Sequence, residues 1–198
     1  KGAIYEGGIR VPGIIRWPGH VRPGTESDVP VCGVDVLPTL CEIADVPVPD
    51  DRAIDGTSIT PVFDDKSIER RTPLYWQFNR AHSEVKVAMR QGDWKIVARL
   101  TEPGPQRGAD LTKEEMQIVK TAGLTGFELY NLKKDIGETN DLAAAGPEPE
   151  RLAKMKAELE TMFRDVQADA PVWPAWEWPR HESSQIEWEQ HRRFSPSK

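Results

Sequence analysis

Few residues of the 198-residue chain could do chemistry, and they are scattered. Cys32 is followed by Gly-Val-Asp and Cys41 by Glu-Ile-Ala. Neither belongs to a CxxC pair or has histidines at metal-ligand spacing, so both read as buried, reduced thiols rather than a disulfide or a zinc site. Of the four histidines, His20 follows a Pro-Gly turn and His181 and His191 stand among prolines and charges, which places all three at the surface. His82, in Asn79-Arg80-Ala81-His82, falls on a loop after a β-rich segment. The pairs Asp50-Asp51 and Asp64-Asp65 offer the oxygen ligands that a hard cation takes, but they sit in proline-flanked loops and read as solvated surface. No metal site is expected within the chain. Lys1, taken alone, is an exposed terminal residue.

The elements that would position these groups come in two parts. Arg10 to Trp17, RVPGIIRW, closes on Pro18-Gly19 and predicts a strand ending in a turn, with an edge or bulge at Pro12-Gly13. Asp35 precedes VLPTLCEIA and predicts a helix over 36–44, with its carboxylate accepting first-turn N–H groups and Pro38 tolerated there. Residues 47–65, rich in proline and aspartate, predict an irregular surface connection.

Beyond about residue 70 the period changes. PLYWQFN at 73–79, VKVAMR at 85–90, WKIVARL at 94–100 and FELYNL at 127–132 predict four strands, with Gln91-Gly92-Asp93 at a hairpin turn. Thr112-Lys113-Glu114-Glu115 has the spacing of a capping box, Leu111 and Met116 suit a hydrophobic staple, and Gly123 can end that helix. Leu152, Met155, Leu159, Met162, Phe163 and Val166 recur at helical spacing after Pro149, so a longer helix should lay one face on the sheet. The segment after Ala170 holds Trp173, Trp176, Trp178 and Trp188 and reads as an extended tail covering a groove or partner chain, or as a carbohydrate platform. The division is therefore 1–68, 69–168 and a Trp/Pro-rich tail over 169–198.

Composition narrows the class without deciding it. A formal charge of −6, with lysine and arginine dispersed, argues against nucleic acid. No apolar run approaches the roughly 20 residues of a membrane helix, and Lys1 to Arg10 lacks the hydrophobic stretch of a secretory signal.

One block is specific. Lys1-Gly2-Ala3-Ile4-Tyr5-Glu6-Gly7-Gly8-Ile9-Arg10-Val11-Pro12 resembles the KGxxYEGGxRxP signature of type I, formylglycine-dependent sulfatases, the arylsulfatase family. The order that follows is similar to the same family: Trp17-Pro18-Gly19-His20, Asp35-Val36-Leu37-Pro38-Thr39, Asp55-Gly56-Thr57-Ser58, Arg90-Gln91-Gly92-Asp93-Trp94-Lys95, Glu128-Leu129-Tyr130-Asn131-Leu132, Asp135 and Glu138-Thr139-Asn140. The resemblance spans roughly 1–165, and bacterial enzymes similar to N-acetylgalactosamine-6-sulfatase look nearest.

The resemblance implies an α/β, alkaline-phosphatase-like sulfatase fold of which this is the C-terminal portion. Residues 1–68 would be the last elements of the large mixed-sheet catalytic domain, and 69–168 a small antiparallel four-stranded sheet with a packed helix. It implies hydrolysis of sulfate esters, of a sulfated carbohydrate or an aryl sulfate, with Lys1 as the sulfate-binding lysine. A sulfate monoester builds negative charge on its oxygens as the S–O bond breaks, and an ammonium group can meet it. Gly7 and Gly8 are expected to supply positive-φ geometry that aims the lysine, and Glu6 and Arg10 to act as an ion pair or as backbone braces. Arg80 and His82 are the candidates for substrate contact.

The family's nucleophile comes from a [CS]xPxR motif that is absent here, and its calcium ligands lie upstream, so the chain alone should be inactive. Periplasmic or secreted localisation of the parent follows from the family. A non-catalytic carbohydrate- or partner-binding module, and a phosphatase or phosphonate hydrolase of the same superfamily, are the alternatives. Residues 1–68, deprived of sheet neighbours, should leave an exposed edge and apolar surface that favour self-association.

Overall fold

A computed structural model describes residues 2–104 and 112–170. Four strands, β1 (Leu74–Gln77), β2 (Val87–Gln91), β3 (Trp94–Leu100) and β4 (Leu124–Asn131), form one antiparallel meander in chain order. Their β-branched and aromatic content suits the pleat. The β2–β3 link is two residues long because Gly92 adopts φ +59, which closes Gln91 onto Trp94. Between Val97 and Arg99 the register with β4 slips, and Gly126 takes φ +56 at that bulge.

Strand alternation gives the sheet two different faces. Val87, Met89, Ile96, Ala98, Leu100 and Leu129 form an apolar face. Against it lies α5 (Pro149–Asp169), whose Met155, Leu159 and Phe163 are buried at the spacing that marks a helical stripe. Val166, at the end of that stripe, is exposed. A shorter helix, α3 (Lys113–Thr121), begins with the expected capping box, in which Thr112 and Glu115 satisfy each other's backbone N–H. It ends at Ala122, with Gly123 bound to Thr101 instead of turning left-handed. Leu111, half of the expected staple, lies outside the described residues.

The opposite face carries Ala88, Val97 and Tyr130, and it is closed by Ile4 and Tyr5 from the start of the chain together with Ala81, Val85 and Leu132. The N-terminal block therefore belongs physically to the second half of the molecule. Ile4 is 1% exposed. Two one-turn helices, α1 (Glu6–Ile9) and α4 (Leu142–Ala145), were not expected, although Asp141 caps the second and left-handed Gly146 ends it.

The remainder of the first segment departs from expectation. Residues 10–17 form no strand: Pro12 has no N–H to give a ladder, and no described strand pairs with the run. Ile14 is 94% exposed and Val11 and Ile15 are exposed with it. Helix α2 (Val36–Ile43) forms as the pattern requires, yet Val36, Leu37, Leu40 and Ile43 face outward. The apolar surface expected for residues 1–68 is present, carried by a helix and coil and not by a sheet edge. Cys41 is buried as expected, Cys32 only half-buried, and the two are not bonded to each other.

Candidate functional site

The block Gly2–Arg10 is fixed by charged groups projecting from the Ile4-covered face. Tyr5 Oη donates to Glu128 Oε2 at 2.6 Å and Tyr130 Oη donates to the same oxygen at 2.9 Å, with the two rings edge-to-face. Burial first, then the Glu128 carboxylate, pushes both phenols well above their usual range. This brace sits beside a deeper one.

Lys95, the second residue of β3, is 0% exposed. Its Nζ donates to the Ile4 carbonyl at 3.0 Å and to Glu6 Oε1 at 2.9 Å. It also lies 2.9 Å from Glu138 Oε1, an ion-pair contact outside hydrogen-bond alignment. Glu138 Oε2 in turn accepts the Glu6 backbone N–H. Arg90 Nη1, 3.6 Å from Glu6 Oε2, is a second cation for the two carboxylates. Burial raises the Glu138 carboxyl above its usual range, and Lys95 opposes that rise. Two carboxylates and two cations balance, which is the condition for keeping such groups out of water.

This arrangement corrects the expected roles in the motif. Glu6 braces the chain as anticipated, but its ionic partners are Lys95 and Arg90. Arg10 is exposed and gives only its backbone N–H to the Glu6 carbonyl, at 2.8 Å. Gly7 and Gly8 lie in the helical turn α1 and have no positive φ. Gly8 is required for another reason: a Cβ there would collide with the Ala3 backbone. The left-handed residue is Gly2, at φ +85.

Gly2 is also where His82 enters. Residues 78–81 turn through an Ala81 N–H to Phe78 carbonyl bond of 2.9 Å, and His82 N–H then donates to the Gly2 carbonyl at 2.6 Å. The His82 ring covers Gly2 so closely that a Cβ at Gly2 would stand 2.7 Å from Nε2. Arg80 keeps Nε and Nη2 buried without a hydrogen-bond partner. Lys1 lies outside the described residues. Gly2→Ala should cost about 1–2 kcal/mol from the left-handed backbone alone. Urea titration of Gly2→Ala in the native and His82→Ala backgrounds separates that strain from the ring clash, which only the first background contains.

A second hub organises the first segment. Arg70 grips Asp35 with two bonds, Nη1 to Oδ1 at 2.7 Å and Nη2 to Oδ2 at 2.6 Å, and Nη2 also reaches the Pro30 carbonyl at 2.9 Å. Asp35 further accepts the N–H groups of Cys32 and Thr57, at 2.7 and 2.9 Å. Burial pushes its carboxyl up, but Arg70 and the two amides outweigh it and hold it below the usual carboxylate range. Asp35 thus serves a three-way junction, not the first turn of α2. Gly56 is part of it, because any side chain there would meet the Val34 carbonyl.

Neither hub offers a cation site. Asp51 pairs with Arg52, Asp64 with Lys66 and Asp65 with Arg22, all at the surface. Among the described residues no three His, Cys, Asp or Glu side chains converge as metal ligands. Cys41, inside α2, and Cys32, at its approach, lack the setting of an activated nucleophile. These residues do not fit calcium or a formylglycine. Of the important side chains, Arg70, Lys95 and Glu138 carried no assigned role in the sequence. A lone lysine alternating inward with Ile96 and Val97 as neighbours was the one available signal.

Comparison with known proteins places this architecture among the sulfatases. Residues 1–121 match the family model described as N-sulphoglucosamine sulphohydrolase, C-terminal, and the chain belongs to that family. Human arylsulfatase A is 32% identical over 179 residues, covering 87% of this chain and 33% of the relative. Human steryl-sulfatase is 46% identical over 67 residues, 34% of this chain and 12% of the relative. A protein solved in work on glycosaminoglycan metabolism by Bacteroides thetaiotaomicron superposes with a TM-score of 0.56 at 24% identity, over 85% of this chain and 31% of that one. The fold is accordingly the α/β, alkaline-phosphatase-like fold of sulfatases, and the chain spans a third or less of the length of these relatives.

Proposed function

We propose that this chain acts as the C-terminal part of a sulfate-ester hydrolase in which Lys1 binds the sulfate group. The observation that carries the reading is the joining of the Lys1–Arg10 signature to the 78–82 turn through the His82 N–H to Gly2 carbonyl bond. That contact sets His82 beside Gly2, the residue that follows Lys1, with Arg80 two residues earlier in the same turn. The unpartnered buried nitrogens of Arg80 suit an acidic group. A sulfated carbohydrate, or an aryl sulfate, is the substrate class that fits the family and such donors.

Calcium and the formylglycine nucleophile, which in this family polarise and attack the sulfate, are assigned to other parts of the longer protein. The chain by itself is then inactive, and its exposed apolar residues from Val11 to Ile43 favour self-association in isolation. The functional division into 1–68, 69–168 and 169–198, and export of the parent to the periplasm or medium, belong to the same proposal.

The test is hydrolysis of 4-nitrocatechol sulfate by the longer protein, loaded with calcium and co-expressed with the formylglycine-generating enzyme. Lys1→Ala should lower kcat/KM by about 10²–10³-fold, the usual loss of one charge-stabilising donor. His82→Ala and Arg80→Ala should shift the preference among sulfated sugars. A longer protein that hydrolyses phosphate esters and not sulfate esters overturns the reading, and an unchanged substrate profile removes Arg80 and His82 from the site.

A further inference from the structure

We infer that Lys95 is a positioning residue for Lys1, acting through the Ile4 carbonyl rather than through charge balance alone. The inference rests on the proposed role of Lys1. Three features of the clamp carry it. Lys95 is wholly buried, so its ammonium is not a solvated charge that happens to lie near the motif. It spends one of its three N–H donors on a backbone carbonyl, that of Ile4, three residues beyond Lys1. Its remaining contacts, Glu6 Oε1 and Glu138 Oε1, hold the same short segment, since Glu138 also takes the Glu6 N–H.

A need for charge neutrality would be met by pairing with Glu6 and Glu138; it does not call for the bond to Ile4. That bond fixes the height of the chain above β3 just where Gly2 turns left-handed and Gly8 packs on Ala3. A small tilt at Ile4 is magnified at the end of a lysine side chain. Positional errors of about 1 Å can cost on the order of 10²-fold in rate.

The experiment uses the longer, calcium-loaded, formylglycine-bearing protein and two charge-matched variants. Lys95→Met/Glu138→Gln removes one positive and one negative charge, leaving Glu6 with Arg90. Lys95→Gln/Glu138→Gln has the same net charge and keeps an amide donor at position 95. For each, kcat/KM on the aryl sulfate and the inhibition constant of inorganic sulfate are measured below the melting transition.

The Met variant should lose at least about tenfold in kcat/KM and bind sulfate correspondingly more weakly, with the Gln variant falling between it and the native protein. A Met variant within about twofold of native in both constants would overturn the inference, since charge balance would then account for Lys95. If only the Gln variant accumulates folded, its shorter stem should still weaken sulfate inhibition, and a native inhibition constant overturns the inference equally. Lys1→Ala run alongside separates the two ideas: full activity in that variant defeats the role of Lys1 itself, whatever Lys95 does.

Discussion

Lys95→Met alone should destabilise the chain by about 3–5 kcal/mol at pH 7.5, because it leaves Glu6 and Glu138 buried against Arg90 only. A methionine fills nearly the same volume, so little of the loss is cavity. The cost is the uncompensated carboxylate, and a carboxylate can escape it by taking a proton. Glu138 is the group to do so, since burial already raises it.

The sign follows from linkage. A carboxyl whose folded pKa exceeds its unfolded value adds stability below the unfolded value and loses it as pH rises through the folded one. Lys95→Met lifts the folded value further, so its destabilisation should shrink as the pH is lowered from 7.5 toward 5. Urea midpoints of native and variant chains across that range make the measurement. A deficit independent of pH would mean that Glu138 reaches water in the variant.

Asp35→Asn works in the opposite direction. It leaves the guanidinium of Arg70 without its bidentate partner at a junction where Asp35 is 1% exposed, and about 3–5 kcal/mol is again expected. Here the folded pKa is depressed. Stability from Asp35 is present above the unfolded value, near 3.9, and is lost as pH falls through the lower folded value. The native chain should therefore lose stability below about pH 4 in a way that Asp35→Asn does not. Titration from pH 5 to 2, followed by tryptophan fluorescence, checks it: parallel acid curves for the two proteins would remove Asp35 from the acid transition.

The two cases show what could be read before the fold was known. WKIVARL and the stripe from Leu152 to Phe163 announced β3 and α5, because alternation and helical period are properties of consecutive residues. RVPGIIRW carried the same kind of signal and misled, since a strand needs a partner and none of the described residues supplies one. The division of labour around the motif was harder still. Glu6 advertised a brace, but its counter-ion lies far along the chain, and no spacing rule connects a glutamate in a turn with Lys95 at the start of a strand or with Glu138 in a loop. Asp35 looked like a cap because it precedes a helix, while Arg70, which claims it instead, sits in a segment with no pattern at all. Resemblance to a family supplied the importance of these positions without their physical tasks.

The bond between Glu6 and Glu138 joins residues 132 positions apart. Bringing ends so distant together costs on the order of 4 kcal/mol of chain entropy, whereas the strands of the β-meander are joined by links of 9, 2 and 23 residues. On loop closure alone the meander is expected to form first, with the Ile4–Glu6 segment joining a sheet already built. Contacts made after the folding barrier act mainly on the return path, so this clamp serves above all to slow unfolding. Seen in time rather than space, it is the latch that sets how long the native state lasts once formed.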